Sequence, residues 1–158
     1  MSRDYHLALE AITLFAGAER VGLEKMSRLT DEIQKRTEDI EKIQRFLTAI
    51  SAQTKDSKRV DFSNDPMMRD LTDEIIQICG LPQGVYSWKE NGKVNEIEQL
   101  TAILNNHISQ IESRITQKTT QLTQIQYETN DCVEIMSTML KECRDMIKRV
   151  QDNINRSR

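Results

Sequence analysis

The 158-residue chain carries 22 basic and 25 acidic side chains, interspersed, for a formal charge of -3. A surface without a single-sign field has nothing to draw in nucleic acid or an anionic membrane, so neither is expected as a partner. Only 4% of residues are aromatic and 37% hydrophobic, against 30% charged, which is the profile of solvated helix with a narrow apolar seam.

The longest apolar stretches are a few residues, far short of the about 20 that a membrane-crossing helix needs. Asp4, Glu10 and Glu19 break up the first twenty residues, so no cleaved secretory signal is expected, and export by a route without one stays open. Cys79, Cys132 and Cys143 form no CxxC pair and cannot all pair within one chain. That points to a reducing site of synthesis.

The first pattern predicts a long helix from about Tyr5 to Ala52. Its seam residues are Met26, Leu29, Ile33, Arg36, Ile40, Ile43, Leu47 and Ile50, alternating three and four steps, with charged residues between them. The N-terminal third is different in character. Leu7, Leu9, Ile12, Leu14 and Phe15 make a wider apolar face there, suited to more than one neighbour, and Gly17 and Gly22 permit close approach or bending.

Residues 53–93 read as the middle of the chain. Ser51 to Asp61 is polar and is expected to be a solvated connection. A short helix is predicted over 66–79: Asp65 caps it, Pro66 suits its first position, and Leu71, Ile75, Ile76 and Ile78 form a stripe ending at Gly80. Val85, Tyr86 and Trp88 before Asn91-Gly92 make a turn-rich aromatic cap, with a short hairpin as one form it can take. Trp88 reads either as core of that cap or, with Tyr86, as an exposed anchor for a partner.

The second long pattern runs Leu104, Ile108, Ile111, Ile115, Lys118, Leu122, Ile125, Thr129, Cys132, Met136, Met139, Cys143, Met146 and Val150. It predicts a helix over 94–155, roughly 90 Å at about 1.5 Å per residue. A 3.5-residue period calls for a supercoiling partner, and the first helix running antiparallel is the nearest one. The expected fold is therefore all-α, a long antiparallel coiled-coil helical hairpin with a small central helix and a turn-rich cap, in one elongated domain over 1–158. The first helix is the shorter, so part of the second is expected to lie bare unless another chain covers it.

Motifs for chemistry are missing: the chain has no GxxxxGK[ST], GxGxxG, HExxH or GxSxG. His6 and His107 lie far apart, and the pairs Asp31-Glu32, Glu38-Asp39 and Asp73-Glu74 read as surface charge on lysine-flanked helices. Cys132 and Cys143 fall on the seam, where cysteine packs as a small hydrophobe. No enzyme activity, catalytic residue, metal or cofactor is expected. Lys118 and Thr129 interrupt the seam amid Gln117, Thr119, Thr120, Gln121, Thr123 and Gln124, either as a register-fixing polar layer or as a surface for lateral contacts.

From Thr116 to Val150 the sequence resembles the needle-tip and translocator-filament proteins of type III secretion, the V antigens and EspA-like subunits. The likeness is to the V antigens' C-terminal helix, and it sits in the run Gln117, Lys118, Thr119, Thr120, Gln121 and Leu122, followed by a long seam and a basic end. The middle segment is too short for a V antigen's globular domains, which favours a small filament-type subunit.

The resemblance implies a structural protein that leaves the bacterial cytoplasm unfolded and assembles at the cell surface. It also implies a cytoplasmic chaperone and contacts with needle or translocator proteins. Self-association would run through Leu122, Ile125, Cys132, Met136, Leu140, Ile147 and Val150. A cytoplasmic chaperone or scaffold of a secretion apparatus, or a coiled-coil adaptor, is the alternative reading of the same helices.

Overall fold

Either side of its two prolines, Pro66 and Pro82, the sequence has nothing that must interrupt a helix. The computed structural model describes residues 2–54, 60–62, 64–81 and 97–156, with backbone alone at 2–6 and 8. These residues form α1 (Ser2–Thr54), α2 (Pro66–Cys79) and α3 (Ile97–Arg156). The two long helices pack against each other as an all-α helical hairpin, and no strand occurs among the described residues. The aromatic cap with Tyr86, Trp88 and Asn91-Gly92 lies outside them, as does the expected start of the second helix at 94.

Packing divides the chain into two compact units, a terminal one of Met1–Asp31 with Lys118–Arg158 and a central one of Glu32–Gln117. In each long helix the division falls near the one basic residue of its seam, Arg36 in α1 and Lys118 in α3.

The central unit has a core drawn from every element it contains. Ile43, Phe46 and Ile50 of α1 meet Leu71, Ile75 and Cys79 of α2 and Leu100, Leu104 and Ile111 of α3, all of them buried. Of the stretch 51–61 expected to be a solvated connection, residues 55–59 lie outside the described residues, but Val60, and Phe62 just after it, are 0% and 2% exposed in that core. Two contacts hold it there. Phe62 tilts against Phe46 with ring centroids 6.0 Å apart. The Gln53 amide takes the Asp61 N–H at 2.8 Å and donates to the Asp61 carbonyl at 3.2 Å.

Short-range chemistry sets the ends of α2. Asp65 Oδ1 accepts the Met68 N–H at 3.1 Å, and Pro66 follows in the first turn. At the other end Gly80 adopts φ 60, ψ 33, while the Gly80 and Leu81 amides donate to the Gln77 and Ile76 carbonyls. Lys42 Nζ reaches Glu74 at 2.7 Å, and this hydrogen bond and charge raise the lysine's pKa. Both side chains are wet, so the pair aligns α2 more than it stabilises it.

Among the described residues the terminal unit is made of α1 and α3 alone. Gly22 of α1 backs onto Thr129 of α3, and Leu9 and Ile12 share one groove with Leu140, Cys143 and Ile147. α1 begins at Ser2 and its N-terminal third lies along α3 as far as Gln151. The length of second helix expected to lie bare is thus met by α1 as far as Gln151, because the wider apolar third pairs as well. Gly17, by contrast, has open space around it.

Candidate functional site

Two packed helices have one seam to share, and residues beside that seam find no partner within the pair. The terminal unit illustrates this. Among its described side chains only Thr129 and Cys143 are buried, beside Gly22. Among the described residues, twelve of the thirteen large hydrophobic residues that stand exposed belong to this unit, Met67 of α2 being the other.

These residues fall in lines. Val133, Leu140, Ile147 and Ile154 recur every seven positions on α3, and Leu9, Ala16 and Leu23 do so on α1. Each follows directly after a position on the three-four seam spacing, which in an antiparallel pair puts both lines on the same side of the seam. The groove between them has a volume of about 600 Å³, walled by Leu9 and Ile12 on one helix and Leu140, Cys143 and Ile147 on the other. Arg144 and Lys148 also line it. A second line, Leu7, Leu14 and Val21, runs along the other edge of α1, with Leu14 75% exposed.

The seven interface residues read from the sequence separate into two groups. Leu122, Ile125, Cys132, Met136 and Val150 are half-buried on the side of α3 turned towards α1. Leu140 and Ile147, 56% and 44% exposed, stand in the groove. Leu9, Leu23, Val133 and Ile154 were not singled out as interface, although their seven-residue spacing beside the seam marks them. Tyr86 and Trp88 lie outside the described residues.

Little else in the described residues offers chemistry. The acidic pairs are exposed apart from half-buried Asp39, His107 is half-buried, and no group of three or more His, Cys, Asp or Glu is gathered to hold a metal ion. All three cysteines are free thiols; burial pushes the Cys79 pKa up to about 11, with Asp39 adding to the rise. No described helix is long and apolar enough to cross a membrane.

Fold and surface together define a helical hairpin with a packed central unit and a terminal unit that leaves apolar lines on both long helices uncovered. No family model, curated protein or solved structure matches the chain.

Proposed function

We propose that the chain is a structural interaction protein, not an enzyme, which self-assembles through its terminal unit. The observation that carries this reading is the concentration of exposed apolar residues in that unit, twelve of thirteen among the described residues, beside a central unit with a buried hydrophobic core. Contiguous apolar surface of this kind is a helix-packing face waiting for a partner. Sedimentation or light scattering across a concentration series tests it. The mass is expected to rise with concentration, and monomer mass throughout would contradict self-assembly.

For the setting we propose type III secretion, as a needle-tip or filament subunit exported without a cleaved signal. The run Gln117–Leu122, and the long C-terminal helix paired with an N-terminal one, support this reading. A cytoplasmic chaperone would cover the apolar lines before export, and needle or translocator proteins would meet them afterwards. Under inducing conditions the protein should appear in the culture medium. Retention inside the cell would favour the chaperone, scaffold or adaptor reading instead.

A further inference from the structure

In the central unit the two long helices do not pack alone. α2 lies over them with Leu71, Ile75, Ile76 and Cys79 buried. It carries Asp70, Asp73 and Glu74 against one base, Arg69, which makes it an acidic amphipathic helix, and its Glu74 meets Lys42 of α1 at 2.7 Å. The terminal unit, built among the described residues from α1 and α3 alone, has instead a groove of about 600 Å³ lined by Leu9, Ile12, Leu140, Cys143 and Ile147. The lining stretch of α3, from Leu140 to Gln151, rises roughly 16 Å, or about three turns of helix.

The charge on this groove has one sign. Arg144 and Lys148 line it, and no described acidic residue does. At about 100° per residue they stand roughly 40° and 80° round α3 from Leu140, with Lys141 at roughly 100°, whereas Glu134, Asp145 and Asp152 lie further round, at roughly 120–140°. All three cations are exposed, and among the described residues none of them has a hydrogen bond or an ion pair. Arg144 and Lys148 also lie one helical turn apart, where like charges repel. On the other wall the lining is Leu9 and Ile12, and Glu10 beside them takes no part in it. A helix with an apolar stripe and carboxylates along its edge would cover the apolar floor and relieve that repulsion at once.

We infer that the groove takes an acidic amphipathic helix of another protein, packed as a third helix over Leu9, Leu140 and Ile147 with its carboxylates against Arg144 and Lys148. The inference rests on the reading of the terminal unit as a helix-packing face and is separable from self-assembly. It repeats with an outside helix what α2 does within the chain, α2 itself being held in the central core.

The test is fluorescence anisotropy of the full chain with two labelled helical peptides of about 18 residues, both with leucines on the three-four spacing, one flanked by glutamates and its twin by lysines. The Glu-flanked peptide should bind saturably, and the Lys-flanked twin about tenfold or more weakly. Reversing both Arg144→Glu and Lys148→Glu should invert that order. Leu140→Glu should abolish binding of the Glu-flanked peptide, and Leu14→Glu, on the other edge of α1, should leave it unchanged. These sites are exposed, and circular dichroism of each variant checks that the helices persist. No saturation by the Glu-flanked peptide up to about 1 mM, equal binding of the twins, or an order that the double reversal fails to invert would overturn the inference. So would a chain that binds neither peptide and loses its own association with Leu140→Glu, which gives the groove to a second copy and leaves self-assembly standing. Binding of the Glu-flanked peptide by a chain monomeric at every concentration would overturn self-assembly and leave this inference in place.

Discussion

A Cβ placed on Gly22 would run into the Oγ1 of Thr129, so α1 and α3 come together in the terminal unit only because one of them lacks a side chain at that level. Thr129 is buried there, and the pair fixes the height at which the two helices meet. The seam shows this polar position as an interruption in an apolar series. Its small partner on α1 lies on the same three-four spacing four residues before Met26.

Gly22→Ala is therefore expected to destabilise the hairpin, although alanine is the better helix former by about 0.8–1 kcal/mol. Overpacking a filled site costs about 1–3 kcal/mol, which exceeds that gain. In a Thr129→Ala background the obstacle is gone, and the same Gly22→Ala change should stabilise by about 1 kcal/mol. Thermal melts of the four combinations, followed by helical circular dichroism, check the change of sign. The same sign in both backgrounds would refute the close approach.

Cores and exposed lines should respond oppositely to truncation. Phe46→Ala removes a ring that is 1% exposed and packed on Phe62, and is expected to cost about 3–5 kcal/mol in urea unfolding. Leu14→Ala, at a largely solvated position, should stay within about 0.5 kcal/mol of the parent. Comparable losses at the two sites would mean that Leu14 is covered.

The caps of α2 give a third check. Asp65→Ala removes the side-chain acceptor for Met68 N–H and should cost about 0.5–2 kcal/mol. Gly80→Ala forces a Cβ into the left-handed region at φ 60 and should cost about 1–2 kcal/mol, although no atom lies within 4 Å of the added carbon. Urea midpoints of the two variants measure both, and an unchanged midpoint for Gly80→Ala would mean that the turn relaxes.

Cys79 ties stability to alkaline pH. Burial raises its folded pKa to about 11, above the value near 8.5 of an exposed thiol. The neutral thiol is thus favoured in the fold. Its contribution is complete below about 8.5 and is lost as pH rises towards 11. A Cys79→Ala variant should lose less stability than the parent between pH 8.5 and 11, and the native thiol should alkylate more slowly than half-buried Cys132. Equal rates at pH 8 would contradict its burial.

Much of this architecture was legible because helix periodicity repeats over many turns. Every position from Met26 to Ile50 on the three-four series is at least half-buried, as are those from Leu104 to Val150 apart from Met146 at 40% exposure. Asp65, Pro66 and Gly80 marked α2 for equally local reasons. Val60 and Phe62 were hidden by polar neighbours, since two apolar residues in an irregular segment have no period to reveal them. Leu140 and Ile147 entered the reading only as interface residues implied by the resemblance, since the three-four series passes through their neighbours Met139 and Met146; a line beside a seam has the same seven-residue spacing, and only the register of α1 separates the two.

Hydrogen exchange by mass spectrometry at low and high protein concentration tests most directly the claim that the terminal unit is an assembly surface over a self-sufficient central core. Protection in 7–24 and 130–156 is expected to rise with concentration, while 40–50, 66–79 and 97–111 stay unchanged. Protection in the terminal unit that is already complete at low concentration, and indifferent to dilution, would contradict the account.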